Sequence, residues 1–256
     1  MQILRALLVL LLPGVLAPGA LLAQDATPPD ARTIVTRAIE HWRDVSSYSV
    51  FDMVIHRPDW ERSMRMRIWT KGLKSSLVRV TAPPKDAGNA TLIKDDEMWS
   101  FTPKINRIIK IPSSMMHQSW MGSDFSNNDV SRADDIIDQY DHRLLQTEQQ
   151  DGHAVYTIES VPHDAAPVVW GREVLRVRDD YVMLQHDFYD QEGRVVKRML
   201  ASDIREVSGK TVATVERMNK VDKPEEWTEI RLIEAQYGID VPPATFTLSN
   251  LRNPRS

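Results

Sequence analysis

The sequence predicts a mainly β fold with a few helices: an antiparallel meander of roughly ten or eleven strands, led by one helix, that curls into a barrel or a sandwich. Three observations predict it. Apolar and polar residues alternate in short runs from Ser49 to Gln236. Turn residues punctuate those runs at hairpin spacing, as in Asp179-Asp180, Gln191-Glu192-Gly193 and Ser208-Gly209-Lys210. A sustained helical period occurs near the start, ahead of the first alternating run.

Taken in order, residues 1–23, MQILRALLVLLLPGVLAPGALLA, carry one cation at Arg5, an apolar run from Ala6 to Leu12 and a small-residue exit ending at Ala23. This is the pattern of a secretory signal peptide cut after Ala23. The uninterrupted run is far shorter than the ~20 residues a spanning helix needs, and Pro13, Gly14, Pro18 and Gly19 break the stretch. The chain has no Cys, so no acylated Cys starts a lipoprotein, and the exported product is expected not to be membrane-anchored. Lacking disulfides, it must rely on a hydrophobic core, which its size allows. Residues 24–30, with Pro28 and Pro29, read as a flexible leader, and residues 31–256 as a single domain.

Asp30 is placed to cap a helix in which Ile34, Val35, Ala38, Ile39 and Trp42 recur at helical spacing through Asp44. The period then changes to two. Phe51, Met53 and Ile55 alternate with Asp52 and His56, and in SMRMRIWT Met64, Met66 and Ile68 share one face while Arg65 and Arg67 share the other. Pro58 and Asp59 between these runs suit a hairpin connection. Further strands are expected at 75–81, 90–94, 98–102, 107–111, 155–161, 172–178, 183–189, 195–204, 211–218 and 227–236. The middle breaks the rhythm: residues 113–121 read as a short helix and 128–137 as a second, the pair lying across a barrel mouth or sheet face. Insertions on a rigid β scaffold carry function more often than the scaffold does.

Catalytic and metal patterns are sparse. The seven His never approach the two-His, one-turn spacing of a zinc protease helix, and Asp129, Asp134, Asp135, Asp138 and Asp141 lack the Gly and alternating oxygens of a calcium loop. Gly122-Ser123-Asp124 lacks the second Gly of a nucleophile elbow. No cofactor or metal is therefore expected. A net charge of −4 with scattered Lys and Arg gives no footprint for nucleic acid.

The export signal, the leading helix, the meander, the segment IPSSMMHQSWMGSDFSNNDV and the closing PPATFTLSNL together resemble the outer-membrane lipoprotein-sorting proteins, the LolA/LolB-like group. The likeness is greatest to its larger branch, found beside RND or MMPL-type exporters. Its sharpest part is Met121, Gly122, Ser123, Asp124 and Phe125, followed by Asp129. The resemblance implies an unclosed antiparallel β-barrel with a helical lid over an apolar cavity for acyl chains. It also implies residence in the periplasm, lipid or lipoprotein acyl chains as cargo, and an RND/MMPL-type transporter of the inner membrane as partner. The missing Cys places the chain on the soluble, carrier side of that group.

Phe51, Met53, Ile55, Met64, Met66 and Ile68 are the candidate cavity wall, and Met115, Met116, Trp120, Met121 and Phe125 the candidate lid. Met repacks readily against irregular apolar guests, which favours ligand contact in the lid group. Alternation alone marks a dry face without saying whether the space beside it is filled, so the wall residues equally suit ordinary core. Two other functions compete with a non-catalytic carrier: a sensor or regulator that binds lipidated proteins on the same scaffold, and a hydrolase, for which no residue constellation speaks.

Overall fold

The computed structural model describes residues 29–254. The expected signal peptide, residues 1–23, and leader residues 24–28 lie outside the described residues. Asp30 caps the first helix, α1 (Ala31–Arg43), its carboxylate accepting the Thr33 backbone N–H at 3.0 Å. Ile34, Val35, Ala38 and Ile39 form the buried stripe of α1, while Trp42 at the end of the series is 44% exposed.

Thirteen strands follow: β1 (Ser46–Arg57), β2 (Trp60–Lys71), β3 (Ser75–Ala82), β4 (Ala90–Lys94), β5 (Glu97–Thr102), β6 (Arg107–Lys110), β7 (Tyr140–Gln150), β8 (His153–Pro162), β9 (Arg172–Arg178), β10 (Met183–Tyr189), β11 (Val195–Val207), β12 (Lys210–Lys220) and β13 (Trp227–Tyr237). They form one antiparallel sheet in the order β6-β5-β4-β3-β2-β1-β13-β12-β11-β10-β9-β8-β7. The first strand pairs with the last, and the free edges are β6 and β7, which do not pair with each other. The count exceeds the roughly ten or eleven of the sequence reading. One strand was invisible there: β7, YDHRLLQTEQQ, is an edge whose sole buried residue is Tyr140, and a strand wetted on both faces carries no alternation.

The stretch between the two edges departs from the expected helices. Residues 113–121 make two separate 3-10 turns, Ser113–Met115 and Trp120–Gly122, because Met121 adopts φ 53° and ends any helical run. In place of one helix at 128–137 there are two single-turn helices, α2 (Asn127–Ser131) and α3 (Asp135–Gln139), separated at Arg132, whose φ of −134° is not helical.

The three largest apolar clusters lie on the two faces of the sheet. In the concave face, α1 packs on Tyr156, Ile158, Leu175 and Val177 of β8 and β9, with Ile136 and Ile137 of α3 beside it. Next to that lies Met53, Ile55, Met64, Met66, Val78, Val80, Ile93 and Met98, drawn from β1 to β5. On the convex face the closing segment, including α4 (Leu248–Arg252), covers Leu77, Ala90, Leu92 and Phe101 with Val241, Phe246 and Leu251. β3 and β4 are thus buried on both faces, which is why 75–81 and 90–94 read as apolar runs rather than alternation. Arg79 fastens this cover by donating to the Asn250 and Leu251 carbonyls at 2.8 and 3.1 Å.

The alternation on β2 makes neighbouring positions opposite in consequence. Met66 is 1% exposed with an apolar shell, so Met66→Arg buries a charge with no partner and should cost on the order of 4 kcal/mol or more. Arg65 points outward to an exposed pair with Asp52 at 2.7 Å, so Arg65→Met should leave stability nearly unchanged. Urea unfolding of both variants checks this; comparable losses would contradict the assignment of faces.

Candidate functional site

Met53, Ile55, Met64 and Met66 are at most 2% exposed and form one cluster with Trp120, itself 7% exposed. Met53 faces Met64, and Phe51 faces Met66, across the β1/β2 ladder. Ile68 and Met121 pack at the margin of that cluster. Phe125 belongs to an adjoining group with Phe188 and Met218, and Val130 touches both groups. Phe51 does not join them: it packs with Val212, Leu232 and Ala235 further along the concave face. Met115 is 37% exposed, and Met116 is half-buried outside these groups. The structure therefore seats Trp120, Met121 and Phe125 directly against strand residues and leaves Met115 at the surface.

The segment around Gly122 is a small hairpin of its own. Trp120 N donates to Phe125 O at 2.7 Å and Asn127 N to Gln118 O at 2.9 Å, with a bridge between Ser119 and Ser126. The turn at its tip uses left-handed backbone at Met121 and Gly122, φ 53° and 78°. Open space surrounds the Gly122 Cα, so backbone conformation rather than room demands Gly there. Ser123, 1% exposed, staples the turn by donating to Trp120 O at 2.7 Å and accepting from Phe125 N at 3.2 Å. Ser126 and Asp129 form a capping box that starts α2, which accounts for the S-x-x-D spacing.

Polar contacts pin this segment to the sheet at separate points. Asp124, with a side chain 5% exposed, accepts both Nη atoms of Arg57 at 3.0 Å and the Thr228 hydroxyl at 2.7 Å, while its own N–H donates to Thr228 Oγ1 at 3.0 Å. Arg57 also donates to the His56 and Trp227 carbonyls, so this latch sits where β1 meets β13. Asp129 accepts Lys197 of β11, and both side chains are under 10% exposed. The Lys197 ammonium also lies 5.0 Å from the Phe188 ring centre. Trp120 Nε1 donates to Thr91 Oγ1 at 3.0 Å, and Lys74 holds Asp134 at 2.7 Å.

Other ionisable groups line the concave face. Glu173 accepts from Tyr140 at 2.6 Å and meets His186 Nε2 at 2.5 Å. Beside that carboxylate the Tyr140 phenol, withdrawn from water, is pushed well above its usual pKa. Glu216 of β12 stands opposite Ile230 of β13, whose side chain contacts both the Met53 and the Phe125 groups. Burial pushes its carboxyl from 4.5 up to about 7. One His and carboxylate cluster occurs among the described residues, His153, Asp179 and Asp180, but its imidazole is held between Asp179 at 2.7 Å and Arg178 at 2.7 Å. Two surface grooves, of about 550 Å³ beside Trp99 and α4 and about 460 Å³ beside Trp170 and Lys220, both lie away from the Met53 and Met66 contact with Trp120.

Sequence reasoning misses Arg57, Lys197 and Glu216. For Lys197 and Glu216 a signal exists: each is a charge at an inward position of a strand whose same-face neighbours, Met199 and Met218, are apolar. Arg57 gave none, since it closes a strand next to Pro58.

This architecture, an open antiparallel half-barrel with a helix in its hollow and a strap joining its edges, is that of LolA-like proteins. The structure is similar to a DUF1329 family protein from Desulfovibrio piger, with 27% identity, a TM-score of 0.77, and 86% of this chain and 97% of that one covered. It is similar to a putative outer membrane lipoprotein-sorting protein domain from Vibrio parahaemolyticus at 20% identity and a TM-score of 0.74, covering 87% and 98%. It also matches a LolA superfamily protein from Nitrosomonas europaea at 24% identity and a TM-score of 0.71, covering 87% and 99%. The chain belongs to a family described as uncharacterized protein, whose model matches residues 72–253. Comparison with curated proteins finds no match. Among the described residues, no helix is long and apolar enough to cross a membrane.

Asp124→Asn leaves the Arg57 guanidinium, 15% exposed, with only the looser Glu226 carboxylate at 3.6 Å as counter-charge and should cost about 2 kcal/mol, with faster amide exchange across residues 118–130. Unchanged exchange there would show that the latch does not hold the segment. Glu216 gives a pH signature. Below pH 4.5 it is protonated folded and unfolded alike and costs nothing; as the pH rises from 4.5 to about 7 the unfolded chain ionises first, so stability falls. Glu216→Gln should therefore gain roughly 2 kcal/mol at pH 8 and little at pH 4, measured by urea unfolding at both.

Proposed function

We propose that this protein is a soluble periplasmic carrier that holds lipid acyl chains or lipoproteins in its concave interior and passes them between membranes or to and from an exporter. The observation that carries this reading is the contact between Trp120 and Met121 and the methionine-rich face of β1 and β2. The segment that makes this contact connects the two free sheet edges and is fastened by side chains rather than by a strand ladder. Side-chain fastenings at separate points release without unzipping the sheet, which is what a lid over a cargo site requires.

Phe51, Met53, Ile55, Met64, Met66 and Ile68 act as the wall, and Met115, Met116, Trp120, Met121 and Phe125 as the lid, with Gly122, Ser123, Asp124 and Asp129 shaping and anchoring it. In the structure wall and lid touch, so loading displaces the lid and the flexible Met side chains re-form contacts with the guest. Each acyl CH₂ buried is worth about 0.8 kcal/mol, enough to carry one chain through water without covalent chemistry. Delivery follows when a partner favours the open lid, since a ligand shifts an equilibrium by its differential affinity alone. The reading has no catalytic step, metal or cofactor. It includes export with cleavage after Ala23, residues 31–256 acting as one domain, and an RND/MMPL-type transporter as the partner. The likeness to a lipoprotein-sorting domain and a LolA superfamily protein supports the class of cargo.

Protein purified from the periplasm and sprayed under native conditions should show an adduct of lipid mass, with Gln24 as its first residue. A lipid-free protein that also fails to take up a fluorescent fatty acid would sink the carrier reading.

A further inference from the structure

The sheet forks where β12 meets β13. Their ladder runs from Asn219–Trp227 to Val215–Arg231 and stops, although β12 continues to Lys210 and β13 to Tyr237. At the same place β13 gains an extra residue against β1, between the partners of Val50 and Phe51. Carbonyls in the open part of the fork are met by side chains instead of a neighbouring strand: Thr211 O by His41 Nε2 at 2.7 Å and Ala235 O by the Ser208 hydroxyl at 2.6 Å. Glu216 sits one residue inside the point of division, on the concave face between Thr214 and Met218.

Nothing in the fold answers its charge. Among the described residues the Glu216 carboxyl has neither a hydrogen-bond partner nor an ion pair. The two cations on the same face of the adjacent β11 are engaged elsewhere, Lys197 by Asp129 and Arg205 by Asp203 at 3.7 Å and Thr214 Oγ1 at 3.3 Å. Yet Glu216 is only half-buried, and along that face of β11 exposure rises from Lys197 through Ala201 to Asp203 and Arg205, so the hollow is wet on this side. Proteins seldom leave a carboxylate inside without a partner, because burial of an unpaired charge is costly. Ile230 opposite suits a hydrocarbon, but a simple hydrocarbon would leave the carboxylate beside it unanswered, and a cargo carboxylate would meet like charge.

We propose that the concave interior takes amphiphiles whose apolar tail carries a protonated amine, and that Glu216 receives the ammonium at the fork between β12 and β13. This rests on the carrier reading and narrows it to a class of cargo. The tail lies along Ile230 toward the Met53 group while the head stays near the wet side, an arrangement that matches one end apolar and the other charged.

Isothermal titration at pH 8.5, below the micellar range, compares dodecylamine, dodecanol, dodecanoate and tail-less butylamine on the purified exported chain. Dodecylamine should bind about tenfold more tightly than dodecanol, dodecanoate more weakly than either, and butylamine not measurably. Glu216→Gln should bring dodecylamine to the level of dodecanol and leave dodecanol unchanged; Glu216→Ala should repeat this if Gln perturbs the site. Equal binding of amine and alcohol by the wild type, a preference for dodecanoate, or an amine preference that survives both substitutions overturns the assignment while the carrier reading stands. Butylamine bound as tightly as dodecylamine overturns it in favour of a small free amine. Failure of all three twelve-carbon probes to bind overturns the carrier reading and this assignment together.

Discussion

Everything in this fold depends on the ladder between β1 and β13. Pairing the first strand with the last turns a meander into a sheet whose two halves grow outward from a central seam, so the free edges fall in mid-chain. Those edges, β6 and β7, are then consecutive in sequence, and the residues between them must span the gap. The strap over the hollow is thus a product of topology before it is a product of composition. Trp120, Met121 and Phe125 enter the hollow because the connection crosses it, while Met115 stays at the surface.

The seam is also where the strap is tied. Arg57 ends β1, Thr228 is the second residue of β13, and Asp124 joins both through a bidentate pair and a reciprocal hydroxyl bond. A buried pair of this kind adds little net stability compared with apolar packing, because desolvation offsets attraction. What it adds is position: the two parallel N–H donors of Arg57 accept a carboxylate in one orientation. Lys197 and Asp129 do the same across the hollow on β11, so the strap is held on both flanks while its underside remains apolar. Hydrocarbon contact gives the segment its affinity for the hollow, and the charged pairs give it its place.

Much of this was legible in the sequence, in proportion to how simply each element meets water. α1 could be read because one stripe is dry, and β1 and β2 because Met53, Met64 and Met66 alternate with polar residues. β7 could not, since an edge strand such as YDHRLLQTEQQ meets solvent on nearly every side. The strap read as helix because residues 113–121 have helical composition, but the left-handed Met121 and the bonds from Ser123 replace a helical ladder with a stapled turn. The division of the candidate wall was equally hidden. Phe51 has the parity of Met53, yet the extra residue in β13 beside it turns it toward Leu232. Partners distant in sequence, such as Arg57 with Asp124 and Lys197 with Asp129, leave no local pattern at all.

The count of strands has one more consequence. In a row of thirteen strands that is antiparallel throughout, the two strands at the ends of the row point the same way. β6 and β7 therefore run in one direction, and edges so disposed cannot be linked by a hairpin or zipped together by the alternating ladder used everywhere else. With an even number of strands the edges could close by the same antiparallel ladder; with thirteen, closure would need one parallel pair, slightly weaker per residue and unlike every other pair in the sheet, and β6 and β7 do not form it. The gap between the edges thus owes part of its persistence to the count of strands rather than to any single residue wedged between them.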